Sequence, residues 1–489
     1  MSLGDLQPLR DPQREALALG RLTLDRLPAA IERPSASAAG IGIVHIGPGA
    51  FHRAHQAWYV DELLKRDPRW GICALALKSS GVRDALAPQD GLYTVAVLDG
   101  RISYRVIGAL RELLVAPDDR ERALARMASA ECHIVTLTIT EKGYCLRPDG
   151  QLDHEHPDIA HDLAQSRQPD SAIGFLVEAL RRRRDAGLTP FTTISCDNLV
   201  DNGLRLGAAV VAFASRLDAQ LASWIQRQAC FPRSMVDSIV PATDSALRER
   251  VRAALGVTDR WPVQREAFLQ WVIEDRFCSL RPDLASVGVT LTDDVPAFVQ
   301  AKLRLLNGAH STLAYMGLNA GHRTVADAMH DAALADFVRS LMIEDILPSL
   351  RAPAGLDLAA YIDAILQRFR NPEIRHELAQ IAWDGSQKLP FRLFGTIADA
   401  MTAGRPIDRL CVPIAAWLQF LRRAAHAGIR VVDPFADTLS AVAMRCDGGS
   451  GDIDHWMTLE GVFPASLSDA PAFVAALRQA YARISPRPA

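Results

Sequence analysis

From about residue 40 to 290, short β-branched apolar runs alternate with longer stretches whose apolar residues recur every three or four positions, the pattern of a parallel sheet with crossover helices. The runs predict strands at Ile41–Ile46, Ile72–Leu77, His133–Ile139, Phe191–Cys196 and Ser238–Pro241. A hairpin is expected across Tyr93–Val97 and Ser103–Ile107, turned by Asp99-Gly100. Helical spacing marks Arg53–Leu64, Ser171–Arg184 and Leu204–Gln228. From about Ala297 the pattern changes to helix after helix, with stops at Pro348, Pro372 and Pro406. An α/β domain followed by an all-helical one is the expected organisation.

Composition narrows the class of function. A chain of 489 residues, 49% hydrophobic, exceeds what one core normally holds, so two domains are expected, with three as the alternative. With 54 Lys+Arg against 57 Asp+Glu, the net charge of −3 supplies no field for a polyanion, which argues against nucleic acid as a partner. No run approaches the roughly 18 apolar residues of a membrane span, so a soluble cytoplasmic protein is expected. The eight cysteines stand singly, without a C-x-x-C pair, which argues against a disulfide framework or structural zinc. His154, His156 and His161 lie in a polar stretch that reads as a solvated loop rather than a metal cluster.

Only five residues are lysines: Lys65, Lys78, Lys142, Lys302 and Lys388. Where basic positions are otherwise Arg, a retained Lys marks places where a guanidinium would not serve, because a desolvated amine can give up its proton near neutral pH.

Ile41–Ile46 runs into Gly47-Pro48-Gly49-Ala50-Phe51 and then a helix, the arrangement that sets a dinucleotide pyrophosphate on a helix N-terminus. Gly47, Gly49, Ala50, Phe51 and Arg53 are the candidate cofactor residues. The third glycine of the usual G-x-G-x-x-G is His52 here. The second strand ends at Lys78-Ser79-Ser80-Gly81-Val82-Arg83, without the carboxylate that binds the ribose of NAD. Lys78 and Arg83 suit a 2′-phosphate, so NAD is expected with NADP as the alternative.

The segment Lys302 to His310 begins the helical part, at the junction between the domains, where active sites are commonly built. Asn307 and His310 share a helical face, and Lys302 is rotated from His310 by about 80° on regular α geometry. Amine, amide and imidazole together suit alcohol oxidation: the Lys takes the hydroxyl proton, the amide donates to the alkoxide, and the imidazole orients a neighbouring hydroxyl. Ser195 to Gly203 adds Asn198 at the carboxyl end of a parallel strand.

Taken together, the blocks Gly47 to Gln56, Thr140 to Cys145, Ser195 to Gly203, Lys302 to His310 and Asp384 to Pro390 resemble the mannitol dehydrogenase family, the polyol-specific long-chain dehydrogenases, in order from about residue 40 to 480. The resemblance implies a Rossmann-type N-terminal domain over residues 1–292 and a mostly α-helical C-terminal substrate-binding domain over 293–489. It implies Lys302 as general base, Asn198 and Asn307 as the alkoxide-stabilising pair, His310 as substrate orienter, Asp237 and Lys388 as substrate ligands, no metal, and a monomer or dimer. Glu141-Lys142-Gly143-Tyr144, Ser386-Gln387-Lys388-Leu389 and the stretch from Arg375 to Asp384 are similar to the fructuronate reductase (D-mannonate oxidoreductase) branch. A uronate carries a carboxylate that a polyol lacks, and Lys142 is the expected carboxylate ligand, with Arg375 or Arg392 assisting.

Three positions depart from the family pattern. Ser238 follows Asp237 where Arg is usual, Val299 stands where an acidic residue is common, and the ribose carboxylate is missing. The resulting expectation is an NAD(P)-dependent interconversion of D-mannonate and D-fructuronate. Its alternative is a polyol dehydrogenase acting on mannitol, arabinitol or sorbitol. A methyltransferase or nucleotide-sensing module ranks below both, because neither needs Lys302, Asn307 and Asn198 together.

Overall fold

The computed structural model describes residues 17–35, 40–459 and 461–484. The chain folds into two compact units, Met1–Leu291 and Thr292–Ala489. The strands are β1 (Ile41–Ile46), β2 (Gly71–Ala76), β3 (Tyr93–Leu98), β4 (Ser103–Ile107), β5 (Leu110–Val115), β6 (Ile134–Leu137), β7 (Thr192–Ser195), β8 (Ser234–Asp237), β9 (Val263–Glu266), β10 (Gln270–Glu274) and β11 (Thr290–Thr292).

Five of them form one sheet in the order β5-β2-β1-β6-β7, with every pairing parallel. Alternation along β1 sends Val44 and Ile46 to one face, against Leu124, Phe175 and Phe213 from helices Ala116–Ala128, Ala172–Asp185 and Asn202–Leu217. Ile43 points to the other face, packed with Val60, Tyr93 and Trp271. Both faces are therefore covered, as a parallel sheet requires. Strand order runs outward from β1 to β2 on one side and to β6 on the other, so the topological switch point lies beside the carboxyl end of β1.

Several elements differ from the sequence expectation. The edge strand β5 was not foreseen because Arg111 and Glu112 interrupt its apolar run; Glu112 is buried, paired with Arg122 and Arg126. The strand expected at Ser238–Pro241 is instead β8, four residues earlier, pairing antiparallel with β10. The helix expected over Leu204–Gln228 is two, because Asp218 is extended and its carboxylate accepts from the backbone N–H of Gln220 and Leu221 to start the second. The helix after the glycine loop breaks at His55 into Ala50–Ala54 and Gln56–Leu63. The stretch read as a solvated loop around His156 contains the helix Pro157–Ala164.

The second unit is helical. Gly308–Ala320 packs on the long helix Asp408–His426, which also carries the C-terminal helix Pro471–Ile484. Pro413 lies inside that long helix without ending it. Three segments are π-helical, Lys302–Asn307, Leu341–Ile346 and Pro390–Phe394, and the first packs against the other two. Among the described residues, no helix is long and apolar enough to cross a membrane.

Candidate active site

In the first unit, the loop after β1 is shaped by two glycines with different reasons. Gly47 has φ +90°, and a Cβ there would meet the Thr138 carbonyl oxygen at 2.2 Å, so the position tolerates no side chain. Gly49 has ordinary φ, and its nearest neighbour to a built Cβ is the Gly47 carbonyl oxygen at 3.9 Å. Its missing side chain leaves an open approach to the backbone at the start of Ala50–Ala54, the cradle a pyrophosphate needs. His45 locks this loop from below. Burial holds its imidazole neutral, with the pKa down to about 3, so Nε2–H donates to the Gly47 carbonyl at 3.1 Å while Nδ1 accepts from Thr136 Oγ1 at 2.8 Å. The His52 ring stacks on it at 3.3 Å.

Not every expected cofactor residue faces outward. Arg53 is 1% exposed, its guanidinium donating to the Trp261 carbonyl at 2.7 Å between the Tyr93 and Trp261 rings; it holds the unit together from inside and is not available to a phosphate. Lys78 is exposed and already pairs with Asp158 at 3.0 Å, and Arg83 pairs with Asp118 at 2.7 Å, so both cations expected to favour a 2′-phosphate have carboxylate partners. Phe51 stacks on His55 at 4.9 Å, and Ala50 is partly buried at the start of its helix.

A second feature of this unit surrounds Asn198. Asp197, just past β7, accepts from the backbone N–H of Ile139 and Thr140, each at 3.0 Å, and from the Tyr144 hydroxyl at 2.7 Å. Burial pushes its carboxyl above the usual range while these donors pull it back. The corner it clamps is strained, since Thr140 adopts φ +61° and Cys145 φ +52°. Downstream, the buried Asn202 amide donates to the carbonyls of Ser195, Asp197 and Ser234 and accepts from the Ser234 N–H. Asp197 and Asn202 thus pin both ends of the short loop that presents Asn198, which is exposed. Sequence reading saw Asp197 and Asn202 only as a polar turn; an Asx residue two positions past a buried strand is the signal for such a clamp. Lys142 is exposed on the turn that Tyr144 closes, and Asp237 is buried at the end of β8, opposite Gln270.

In the second unit, Lys302 is 8% exposed and begins the π-helical turn that ends at Asn307. The wider turn changes the regular-helix relation expected between Lys302 and His310, and such bulges recur at functional sites. Burial, followed by the charges of His376, Arg392, Arg368 and Lys302, holds His310 well below the usual histidine range. Its ring packs on Phe369 at 4.5 Å and edge-on to His376 at 5.0 Å, and its Nε2 makes no hydrogen bond among the described residues. His376, which sequence reading did not single out, is likewise held down by burial, to about 4. Asn307 Oδ1 is buried without a hydrogen-bond partner among the described residues. Nearby, Arg392 Nη1 donates to Ser311 Oγ at 3.0 Å and to the Asn307 carbonyl at 3.5 Å. Lys388 is partly buried, its Nζ 3.5 Å from the Ile381 carbonyl, whereas Arg375 is exposed. This unit therefore gathers a buried amine, two neutral imidazoles, an amide and guanidinium groups, a set suited to proton transfer on a polyhydroxy substrate.

One group of potential metal ligands occurs among the described residues, His161, Asp162 and Asp170. Asp162 is committed structurally, accepting from the N–H of Asp170 and Ser171 and from Ser171 Oγ.

The chain matches the mannitol dehydrogenase Rossmann domain over residues 41–286 and the mannitol dehydrogenase C-terminal domain over 294–485. It is 41% identical to the D-mannonate oxidoreductase of Escherichia coli (strain K12), covering 91% of this chain and 93% of that protein. It is 39% identical to the mannitol 2-dehydrogenase of Aspergillus clavatus, covering 88% of each chain. Among solved structures, the ternary complex of Pseudomonas fluorescens mannitol 2-dehydrogenase with NAD and D-mannitol superposes with a TM-score of 0.81 at 36% identity, covering 95% of this chain and 96% of that one. A D-sorbitol dehydrogenase in substrate-free form gives 0.86 at 33% identity, covering 96% and 100%. The chain belongs to the mannitol dehydrogenase family, whose members are oxidoreductases acting on the CH–OH groups of polyols and sugar acids.

Proposed function

We propose that this protein interconverts D-mannonate and D-fructuronate with NAD, Lys302 serving as general acid/base. The observation that carries the reading is the chemistry around Lys302: a buried amine among further cations and neutral histidines, which suits an anionic polyhydroxy substrate. The 41% identity to a D-mannonate oxidoreductase supports it, as does the resemblance of the Glu141–Tyr144 and Ser386–Leu389 blocks to that branch.

In this reading Lys302 accepts the substrate hydroxyl proton during oxidation and returns it during reduction. The Asn198 and Asn307 amides donate to the oxygen as its charge develops, each held by its own unit's backbone. His310, neutral, uses its imidazole to orient an adjacent hydroxyl rather than to carry a proton. Asp237 and Lys388 bind further substrate oxygens. NAD, bound along the Gly47-Gly49 loop and the start of Ala50–Ala54, supplies the hydride acceptor; the pairing of Lys78 and Arg83 with carboxylates favours it over NADP.

The test is oxidation of NADH and NADPH at 340 nm, with D-fructuronate, D-tagaturonate, D-fructose and D-xylulose offered in parallel. Turnover confined to fructuronate supports the reading. Turnover confined to neutral ketoses replaces it with polyol dehydrogenation, the reading favoured by the mannitol 2-dehydrogenase relatives.

A further inference from the structure

Among the cations of the second unit, Arg392 reaches the Lys302–His310 segment and its neighbour Ser311 without a carboxylate partner among the described residues. Its Nη1 donates only to neutral oxygens, Ser311 Oγ and the Asn307 carbonyl, and no carboxylate pairs with it among the described residues. Other arginines of the unit are either matched, Arg304 by Asp399 at 2.6 Å and Arg409 by Asp345 at 2.8 Å and Glu344 at 2.7 Å, or, like Arg405, Arg422 and Arg423, meet neutral oxygens away from the Lys302–His310 segment. Burial pushes the Arg392 guanidinium down to about 10, with Tyr315 the only group opposing that shift. Arg392 is partly buried, and a cation with reduced hydration and no paired anion gains from a ligand that supplies the missing charge.

The position suits that role. The Asn307 carbonyl that Arg392 touches ends the π-helical turn beginning at Lys302, and Ser311 follows His310 directly. Nε and Nη2 of Arg392 make no hydrogen bond among the described residues, and neither is among the polar atoms sealed from solvent. That leaves one edge of the guanidinium fork available for the two oxygens of a carboxylate. The other carboxylate ligands expected from sequence are different in kind: Arg375 and Lys142 are both exposed, where water competes for their charge.

We infer that Arg392 is the residue that receives the substrate carboxylate, making it the determinant of selectivity for sugar acids over neutral ketoses. The inference rests on the proposed sugar-acid function. Loss of a two-point contact between charged groups is expected to cost roughly 100-fold in selectivity.

The experiment measures kcat/KM for D-fructuronate and D-fructose in the wild type, Arg392→Met and Arg392→Lys, with the NADH dissociation constant followed by fluorescence. The expected result is a fructuronate-to-fructose ratio about 100-fold lower in Arg392→Met and about tenfold lower in Arg392→Lys, carried by KM for fructuronate, with NADH affinity retained. A ratio unchanged within twofold in either variant overturns the inference while leaving the sugar-acid function intact. Arg392→Lys keeps the charge and the aliphatic stem, so it remains informative if Arg392→Met does not fold. A wild-type enzyme without activity on fructuronate or tagaturonate overturns the sugar-acid function itself, and this inference with it. As a binding readout, D-mannonate and D-mannitol, which differ by a carboxylate against a hydroxymethyl, are compared by the thermal shift each produces. The preference for mannonate should shrink in both variants, and a preference that stays at its wild-type size overturns the inference.

Discussion

The Tyr144 hydroxyl donates to the Asp197 carboxylate at 2.7 Å and lies 2.5 Å from Ser195 Oγ, joining the Glu-Lys-Gly-Tyr turn to the last residue of β7 and to the residue just before Asn198. Through this contact a turn that carries Lys142 and a loop that carries Asn198 share one partly buried carboxylate. Tyr144→Phe takes a donor from the partly buried Asp197 and should cost about 1–3 kcal/mol of stability. It should also lower kcat, because Asn198 loses its placement. Chemical denaturation and steady-state kinetics measure both, and a variant as stable and active as wild type removes the clamp.

Lys302→Met keeps the length of the side chain and removes the proton carrier. If Lys302 is the acid/base, kcat falls by about 100- to 10,000-fold and the pH dependence of the residual rate flattens. NADH binding, followed by fluorescence, should stay near wild type. Retention of activity within tenfold moves the proton-transfer role to another group.

Gly47→Ala and Gly49→Ala separate two uses of glycine in one loop. Gly47→Ala places a Cβ against the Thr138 carbonyl and into a left-handed backbone, so the variant should be destabilised by more than about 2 kcal/mol or fail to accumulate as folded protein. Gly49→Ala meets nothing closer than 3.9 Å and should fold with a near-native melting temperature, yet bind NADH at least tenfold more weakly. Full NADH affinity in Gly49→Ala would place the cofactor elsewhere.

Acid should unfold this protein earlier than its carboxylates alone require. Burial holds His45 down to about 3 and His376 to about 4, with His52 and His310 also well below the usual range. In the unfolded chain the same side chains protonate below about 6.5, so the unfolded state binds more protons and stability falls as pH falls. The loss begins near pH 6.5 and proceeds at up to about 1.4 kcal/mol per pH unit for each such histidine. Urea midpoints at pH 7.5, 6.5, 5.5 and 5.0 should therefore decline steadily, and a flat profile across that range would show these histidines protonated in the fold.

The order of elements and the glycine loop were legible because hydrophobic periodicity and backbone freedom are local properties: alternation marks β1, and Gly47 and Gly49 stand where only a loop after a strand needs them. The Asp99-Gly100 hairpin was legible for the same reason, since its turn chemistry is contained in two residues. Where charge entered a strand, as at Arg111 and Glu112, periodicity failed, because the cost of burying Glu112 is met by Arg122 and Arg126 on a later helix.

By itself, the sequence determined that an α/β part precedes a helical part, that a nucleotide loop follows the first strand, and that Lys302, Asn307 and His310 lie within nine residues of one another. Tertiary structure decided which cations are spent and which are available. Arg53 is consumed inside the first unit, Lys78 and Arg83 are matched by Asp158 and Asp118, and Arg392 is partly buried beside neutral partners. The reason is physical: a guanidinium reads the same in any sequence, and its function follows from the water and the counter-charge it has lost, which are set by residues far away in the chain.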